Sequence, residues 1–282
     1  MLVPAENEER ANFPKVSVIK EKLSITLDDK ILKEVDSIVD GVRIRNTSQS
    51  IEFLLRKSLS DIRTAVILAG GPEEKLRLGG TLKPLIKIKG KTIIEHAIEN
   101  LRKHKFSDIY IVGRKPVLSE IFNCIGDGSA SDVSIQYVEE KSEKPVTRSD
   151  TARTLKTLKG KIRKTFLCVY CDVLFDYNLS EALNFHLREG GVATLILKTE
   201  QSPVKWGVVN LDGNKITSFE EKPKKSDSYI VFSGIFFAEP ELLKYSENSL
   251  EYELFPFLAK KSLLAGLICS GKSQHVHEMR YR

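Results

Sequence analysis

Residues 64–71 read TAVILAGG, an apolar run that ends in a pair of glycines. A short, continuous apolar run bounded by a turn signal predicts a buried strand, here Thr64–Ala69, and the glycines predict a loop at its carboxyl end. Beyond this loop, strand-like and helical patterns alternate as far as residue 197. This alternation predicts an α/β domain on a doubly wound, mostly parallel sheet, followed by strands at 206–211, 215–219 and 230–237, some of them antiparallel.

Three features of this domain point to a site for phosphates. Ligands of doubly wound sheets bind at the carboxyl ends of the strands. There, Gly70 and Gly71 allow backbone amides to approach a phosphate closely, and Lys83 follows twelve residues later. Asp172 follows a second apolar strand, 166–169, where a carboxylate is placed to hold Mg²⁺. Each feature is common alone, and their order predicts a nucleotide site.

Five motifs carry a family resemblance over about residues 64–245. They are LAGG (68–71), LKPLIKIKGKTIIEHAIENL (82–101), FLCVYCDVLF (166–175), WGVV (206–209) and FEEKP (219–223). In this combination the chain resembles the sugar-phosphate nucleotidyltransferases. The resemblance implies a Rossmann-like nucleotidyltransferase fold and an enzyme that makes an NDP-sugar and pyrophosphate from an NTP and a sugar 1-phosphate.

The resemblance also implies a role for individual residues and a requirement for Mg²⁺. Lys83 is expected on the nucleotide phosphates, Glu221 on the sugar hydroxyls and Lys222 on the sugar phosphate. Carried over to this sequence, nucleotide and sugar binding falls to Ala69, Gly70, Gly71, Glu221 and Gly234, catalysis to Lys75, Lys83 and Lys222, and metal binding to Asp172.

The loop after the glycines departs from the family pattern. It reads PEEKL, so Lys75 stands where the family has a catalytic arginine, which keeps the charge and loses the bidentate fork. Glu73 and Glu74 would then lie beside a triphosphate, where a like charge at ~4 Å costs about 4 kcal/mol at an effective dielectric near 20. We therefore expect these carboxylates to turn outward, to bind an extra metal or to exclude the usual ligand.

The end of the chain departs as well. Where the family has a second metal-binding aspartate, the aligned residue is His275, and imidazole is a poor ligand for Mg²⁺. A pair formed by His275 and His277 suits a softer metal, although a polar tail end is the favoured interpretation. Activity therefore stays open, and the alternative is an inactive transferase domain that acts as a ligand sensor or assembly scaffold in a DNA- or chromatin-associated protein.

A separate unit precedes the α/β domain. Residues 22–27 alternate polar and apolar side chains, which predicts a strand. Asp28 is placed to cap a helix that carries an apolar stripe from Ile31 to Val39 and ends at Gly41. Asn46, with Gln49 three residues on, predicts a capping box at the start of a second helix.

One strand and two short helices cannot bury their apolar faces alone, so this unit predicts a two-fold dimer whose strands pair. KLSITLDDKILKEVDSIV (22–39) and RIRNTSQSIEFLLRKSL (43–59) resemble the ribbon-helix-helix DNA-binding family of transcriptional repressors. The resemblance implies a homodimer through residues 15–62 that binds double-stranded DNA sequence-specifically, as a transcriptional regulator does. A dimerisation module without DNA is the alternative. The side chains expected on DNA are Lys22, Ser24 and Thr26 in the major groove, and Asn46, Thr47 and Ser48 at a phosphate.

Composition sets the remaining expectations. The 282 residues carry a net charge of +6, but residues 15–59 hold nine bases and seven acids, so bulk charge does not argue for DNA. No apolar run reaches the ~18–20 residues of a membrane span, and the first residues do not read as a secretory signal. We therefore expect a cytoplasmic, nucleoid-associated protein without membrane contact, with a flexible arm at 1–14, the dimerisation and DNA-binding domain at 15–62 and the nucleotidyltransferase-like domain at 63–282.

The C-x-x-C at Cys168 and Cys171 predicts neither a metal site nor a disulfide. The two cysteines lie in a buried strand pattern, and residues three apart on a strand point to opposite faces. We interpret both as packing residues.

Overall fold

A computed structural model describes residues 24–59, 63–140, 151–245 and 249–278. The arm predicted at 1–14 and Lys22 lie outside these ranges. The helices are α1 (Asp29–Asp36), α2 (Thr47–Leu59), α3 (Glu73–Leu76), α4 (Ile93–Lys103), α5 (Lys115–Ile125), α6 (Thr151–Lys156), α7 (Leu179–Glu189) and α8 (Phe255–Lys260). The strands are β1 (Arg63–Ala69), β2 (Arg77–Leu78), β3 (Thr81–Leu82), β4 (Lys87–Ile88), β5 (Lys91–Thr92), β6 (Phe106–Gly113), β7 (Ser134–Glu139), β8 (Phe166–Tyr170), β9 (Val173–Tyr177), β10 (Ala193–Thr199), β11 (Gly207–Asp212), β12 (Lys215–Glu221), β13 (Ile230–Ala238), β14 (Leu264–Ile268) and β15 (Gly271–His275).

A nine-stranded mixed sheet organises the α/β part, in the order β10-β14-β12-β11-β13-β8-β1-β6-β7. The strand β1 pairs in parallel with β8 on one side and with β6 on the other, and β6 pairs in parallel with β7. The next strand, β13, runs antiparallel to β8. The carboxyl ends of β8, β1, β6 and β7 therefore meet at one edge of the sheet, which is where the phosphate-binding features were expected.

Helices cover both faces of this sheet, as the doubly wound prediction requires. One buried cluster includes residues of α6 and α8, and the other includes residues of α4, α5 and α7. Cys168 belongs to the first cluster and Cys171 to the second, so the two thiols lie on opposite sides of the sheet. Both thiols are free and buried, as expected of packing residues, and this burial raises the pKa of each.

The C-terminal part holds elements that the sequence pattern did not reveal. The strand β14 joins the main sheet, and β15 pairs antiparallel with β9. This pairing places His275 opposite Val173 and buries it, so the interpretation of His275 as part of a polar tail end is wrong. The side chain of His277 lies outside the described residues.

Local capping of the two N-terminal helices follows the prediction closely. Asp28 Oδ1 accepts a hydrogen bond from Ile31 N at 2.9 Å and begins α1, and Asn46 Oδ1 accepts from Gln49 N at 3.0 Å and begins α2. The return bond differs, because Gln49 Oε1 accepts from the backbone N–H of Arg45 rather than from that of Asn46. Both caps depend on residues close in sequence, so they do not need a second chain.

The first helix ends earlier than expected, at Asp36 rather than at Gly41. Asp40 explains the difference, because its carboxylate accepts hydrogen bonds from the amides of Val42, Arg43 and Ile44 at 2.7–3.0 Å. These bonds hold the pKa of Asp40 below its usual value and fix a turn in place of a further helical turn. Residues 24–28 form no ladder with any other described residue of the chain, and the predicted ladder joins two copies, so that pairing stays a prediction.

The helical unit contacts the α/β part through α2, which packs against α7. Arg56 Nη1 lies 3.8 Å from Glu239 Oε1 across this contact. Large apolar side chains of the unit remain exposed, with exposed fractions of 51% for Ile25, 46% for Ile31 and 54% for Leu55. None of the helices in the described ranges has the length and apolarity needed to span a bilayer.

Candidate active site

A cleft of about 450 Å³ opens at the carboxyl ends of β1 and β8. Ala69, the last residue of β1, is fully buried beneath the loop and does not line the cleft. The other residues expected at the nucleotide, sugar and metal sites all line it, namely Gly70, Gly71, Lys75, Lys83, Asp172, Glu221, Lys222 and Gly234.

The glycine loop needs its two glycines for different reasons. A Cβ on Gly70 would lie 2.5 Å from Thr154 Oγ1 and 2.8 Å from Glu140 Oε2, so a larger residue does not fit. Gly71 has a φ of +101°, which side chains other than glycine rarely adopt. The backbone at the end of β1 therefore approaches its neighbours more closely than a side chain would allow.

The acidic residues of the loop turn away from the cleft. Glu73 Oε1 accepts hydrogen bonds from Arg77 Nε at 2.9 Å and from Arg77 Nη2 at 2.7 Å, and Arg77 also pairs with Glu120. Glu74 is exposed. Of the three outcomes expected for these carboxylates, the structure has the outward one, and Lys75 alone of the three charged loop residues faces the cleft.

Asp172 lies between two cationic or protonatable groups. Its Oδ2 is 3.4 Å from Lys83 Nζ, and its Oδ1 is 3.5 Å from His275 Nδ1. Burial by itself would raise the pKa of Asp172, but the hydrogen bond and charge of His275 and the charge of Lys83 outweigh it and hold the pKa well below its usual range. Asp172 is therefore ionised at neutral pH.

Contacts with Trp206 and Gly234 hold His275 in this position. Its ring meets the edge of Trp206 with 4.8 Å between centroids, and Lys198 Nζ lies 3.9 Å from the centroid of the Trp206 ring. A Cβ on Gly234 would lie 3.3 Å from the His275 ring, so the glycine makes room for it.

The donor set at Asp172 fits Mg²⁺ only when substrate shares in the binding. Among the described residues, no group of three or more His, Cys, Asp and Glu side chains is arranged to hold a metal. Mg²⁺ is commonly held by one or two carboxylates together with substrate phosphates, and Asp172 supplies one carboxylate. His275 contributes nitrogen where a second oxygen would be preferred.

A third acidic residue of the cleft, Glu251, was not predicted from the sequence. Glu251 Oε2 accepts hydrogen bonds from Thr151 Oγ1 at 2.7 Å and Ser249 Oγ at 3.0 Å, and Glu251 Oε1 accepts from the Tyr170 hydroxyl. Glu251 belongs to a π-helical turn over Leu250–Leu254, a feature often found at functional sites. Nothing in the run SLEYEL distinguishes it from a surface acid.

The negative charge of Glu251 affects the pKa of Glu221, which lines the same cleft. Burial, followed by the charge of Glu251, raises the pKa of Glu221 to about 7, although Lys222 Nζ at 3.5 Å from Glu221 Oε1 opposes the shift. Lys222 itself has a φ of +51° and donates its backbone N–H to Trp206 O at 2.9 Å. Strained backbone of this kind is concentrated at functional sites.

The raised pKa of Glu221 predicts a pH-dependent stability. Between about pH 4.5 and pH 7 the folded protein keeps a proton that the unfolded chain has lost, so this group's contribution falls as pH rises through that window. At 1.36 kcal/mol per pKa unit the loss is on the order of 3 kcal/mol above pH 7. Glu221→Gln is therefore expected to be more stable than the wild type at pH 8 and about equally stable at pH 4.5, measured by urea unfolding.

Glu220→Gln is the matched control, because Glu220 is the exposed neighbour of Glu221 on β12. It should keep the wild-type pH dependence. Parallel pH profiles for the wild type and Glu221→Gln would contradict the prediction.

Lys22 is outside the described ranges, and the other five residues expected on DNA belong to the N-terminal unit and do not line the cleft. Ser24, Thr26, Asn46 and Ser48 are exposed. Thr47 is half-buried, and its hydroxyl donates to Asp36 Oδ1 at 2.6 Å, which links the two helices. Of the five residues that the structure describes, Thr47 and Asn46 therefore make hydrogen bonds within the unit, to Asp36 and from Gln49 respectively, while Asn46 stays exposed together with Ser24, Thr26 and Ser48.

Comparison with known proteins identifies the family to which the α/β part of the chain is similar. The sequence profile of the nucleotidyl transferase family matches residues 64–260. The chain is 32% identical to a UTP–glucose-1-phosphate uridylyltransferase of Synechocystis sp. over 220 residues, which are 72% of this chain and 56% of the relative. It is 30% identical to a mannose-1-phosphate guanyltransferase of Hypocrea jecorina over 208 residues, 71% of this chain and 56% of the relative. The chain thus spans little more than half the length of these relatives.

A solved structure shares the fold. It is a protein of Bacillus anthracis, described as a glucose-1-phosphate thymidylyltransferase and crystallised with sucrose, with a TM-score of 0.66 and 22% identity, covering 76% of this chain and 89% of the other. The N-terminal helices and the segment that carries His275 lie outside the family match.

Proposed function

The chain belongs to the nucleotidyl transferase family over residues 64–260, and we therefore propose that its α/β domain, residues 63–282, transfers a nucleotidyl group from an NTP to a sugar 1-phosphate. An oxygen of the sugar phosphate forms a bond to the α-phosphorus while the bond between the α- and β-phosphates breaks. Pyrophosphate leaves with the electron pair of that bond. No covalent enzyme intermediate is needed, so positioning and charge neutralisation supply the catalysis.

The observation that carries the proposal is the arrangement of charges in one cleft. Lys75, Lys83, Lys205 and Lys222 all line it, and a polyphosphate and a sugar phosphate together need several cations. Asp172 lies beside Lys83, while Glu221 lies beside Lys222. The cleft therefore offers a cationic group for each phosphate and a carboxylate next to each of two of them.

Each residue has a role that follows from its position. Lys75 and Lys83 bind the nucleotide phosphates, with backbone amides of Gly70 and Gly71. Lys222 binds the sugar phosphate, and Glu221 accepts hydrogen bonds from sugar hydroxyls. Gly234 gives space to the His275 ring, and Ala69 anchors the loop in the core.

Asp172 would hold Mg²⁺ together with oxygens of the bound phosphates. When bound, the ion neutralises charge on the phosphates as the pyrophosphate departs. The remaining work falls to the protein: Lys83 and His275 fix the orientation of the Asp172 carboxylate, and the lysines hold the two phosphate groups in line.

The test is pyrophosphate release with Mg²⁺ from a panel of GTP, UTP, dTTP, CTP and ATP, each with glucose 1-phosphate and mannose 1-phosphate. Release from at least one pair, with an NDP-sugar identified by mass spectrometry, is the expected result. Nucleotide binding without release from any pair would contradict catalysis and favour the ligand-sensor alternative.

A second function is favoured by the exposed apolar side chains of the N-terminal unit. Ile25, Ile31 and Leu55 are each about half exposed in the single chain, although both helices are capped and folded. A second copy would cover them and would also supply a partner for the extended segment 24–28. We propose that residues 15–62 dimerise the chain in this way and bind double-stranded DNA, as a unit separate from the transferase domain.

Lys22→Ala tests the surface of this unit that would face DNA. Removing this basic side chain from the polar side of the paired strands is expected to weaken duplex binding by about tenfold, because a groove contact of this kind contributes about 1–3 kcal/mol. The measurement is a gel shift with a selected duplex, together with sedimentation to show that the dimer is intact. Unchanged duplex binding would mean that another surface contacts DNA.

A further inference from the structure

Another cavity, of about 170 Å³, lies at the opposite end of β1 from the cleft. It is bounded by the first residues of β1 and β6 and by side chains of α2 and α7, so it lies where the helical unit meets the α/β domain. We call it the junction pocket; Arg56 of α2, Arg63 of β1, and Arg163 and Lys164 from the connection between α6 and β8 line it. None of its lining residues lines the cleft, and Arg56 precedes the family match at residues 64–260.

The basic side chains give the junction pocket a positive charge. Arg56, Arg163 and Lys164 are exposed, and Arg63 is half-buried. Among the described residues that line the pocket, Glu239 is the only acid. Like charges that are held close together repel one another, and a bound anion relieves this repulsion. The charge of the pocket therefore favours an anionic ligand.

Glu239 does not take the place of that anion, because other groups already hold it. Its Oε1 accepts a hydrogen bond from Thr165 Oγ1 at 2.8 Å and lies 3.4 Å from His186 Nε2 and 3.8 Å from Arg56 Nη1. Burial by itself would raise the pKa of Glu239, but the hydrogen bond and charge of His186, the hydrogen bond from Thr165 and the charge of Arg56 outweigh it and lower the pKa. Glu239 is therefore ionised and offsets one of the four positive charges.

The inner wall of the junction pocket is apolar. Phe106, Leu183 and Phe237 are buried, and Leu187 is half-buried. The two phenylalanine rings lie with 6.1 Å between their centroids. A cavity of about 150 Å³ lined by leucine, isoleucine and phenylalanine is large enough to bind benzene. The pocket therefore suits an apolar body of about one ring, with its charged group at the basic mouth.

We propose that the junction pocket binds a small phosphate monoester whose body is apolar and about the size of a phenyl ring. A phosphate monoester carries nearly two negative charges at neutral pH, and guanidinium groups bind its oxygens through paired N–H groups. It matches four basic side chains better than a carboxylate, which carries one charge. Because Arg56 belongs to α2 and Arg163 to the α/β domain, a phosphate bound by both holds the helical unit against that domain.

Titration of the full chain with phenyl phosphate, followed by NMR, tests the proposal. Inorganic phosphate lacks the apolar body, benzyl alcohol lacks the charge, and benzoate carries a single charge. Phenyl phosphate is expected to bind at least about tenfold more tightly than inorganic phosphate, because its ring is buried. It is expected to bind at least about tenfold more tightly than benzyl alcohol and about fivefold more tightly than benzoate, because of its charge.

Two variants place the bound probe in the junction pocket. Arg163→Ala is expected to weaken phenyl phosphate binding about tenfold, because a charge-assisted hydrogen bond is lost. Lys161→Ala is the matched control, since Lys161 is an exposed base of the same connection that does not line the pocket, and it should bind like the wild type. Leu187→Trp fills the pocket from its half-buried wall and is expected to abolish binding.

Amide hydrogen exchange tests whether the ligand joins the two parts of the chain. Phenyl phosphate is expected to slow exchange in α2 of the wild type, because a ligand that contacts α2 opposes its local opening. The effect should be lost in Arg56→Gln. Binding that leaves exchange in α2 unchanged would overturn the bridging role of the phosphate.

The remaining outcomes decide the site and its ligand. Phenyl phosphate that binds no more tightly than inorganic phosphate, or binding that survives both Arg163→Ala and Leu187→Trp, overturns the proposed site. Benzoate that binds more tightly than phenyl phosphate overturns the choice of a phosphate. Nucleotidyl transfer is unaffected by any of these results, since the junction pocket and the cleft share no residue.

Discussion

Asp172→Asn is expected to lower kcat/KM for nucleotidyl transfer by about a thousandfold, which corresponds to about 4 kcal/mol of transition-state stabilisation. Asparagine keeps the shape of the side chain and removes the charge that Lys83 and His275 face at 3.4 and 3.5 Å. It also removes the one carboxylate at this position that would share Mg²⁺ with the phosphates. The measurement is pyrophosphate release with the most active substrate pair of the panel.

Asp176→Asn is the control for this prediction. Asp176 is exposed on β9, four residues further along the chain, and it does not line the cleft. Its replacement should leave kcat/KM within about twofold of the wild type. An Asp172→Asn enzyme that retained more than a tenth of the wild-type rate would remove Asp172 from the mechanism.

The double variant Ile31→Glu with Leu55→Glu is expected to abolish dimerisation and to weaken duplex DNA binding by at least about a hundredfold. Both side chains are about half exposed in the single chain, and a dimer would bury them. Burying a carboxylate without a partner costs several kcal/mol, more than a small dimer interface can offset. Sedimentation reports the assembly, and a gel shift reports DNA binding.

Nucleotidyl transfer by this variant should be unchanged, because both substitutions lie outside the cleft. Ile268→Glu is the matched control, since Ile268 has an exposed fraction of 51% and belongs to β14, outside the helical unit. Two observations would refute the dimer: a wild-type chain that sediments as a monomer at micromolar concentration, or a monomeric variant that still binds DNA.

Local signals predicted the local structure well. Thr64–Ala69 was expected as a strand, and β1 spans Arg63–Ala69, because a continuous apolar run needs only burial to become a central strand. Asp28 and Asn46 cap their helices as expected, since each cap bonds to an amide three residues away. The α/β class followed from the same signals.

Features that depend on contacts between segments far apart in the sequence could not be predicted. The run GKSQH in β15 has no apolar alternation, and its partner strand β9 lies about a hundred residues earlier, so neither the strand nor the burial of His275 was visible. Glu140 and Glu251 resemble surface acids in the sequence. Both are buried by long-range packing: Glu140 directly follows β7 and lies beside Gly70, and Glu251 belongs to a π-helical turn that lines the cleft.

A short connection joins α2 to the amino end of β1. Leu59 ends α2 and Arg63 begins β1, and four residue steps reach at most about 14 Å. The tether enters β1 at its amino end, whereas the cleft opens about 20 Å away at the carboxyl end of the same strand. If the helical unit binds DNA as proposed, the duplex is therefore attached to the α/β domain through the amino end of β1, and the cleft opens at the opposite end of that strand.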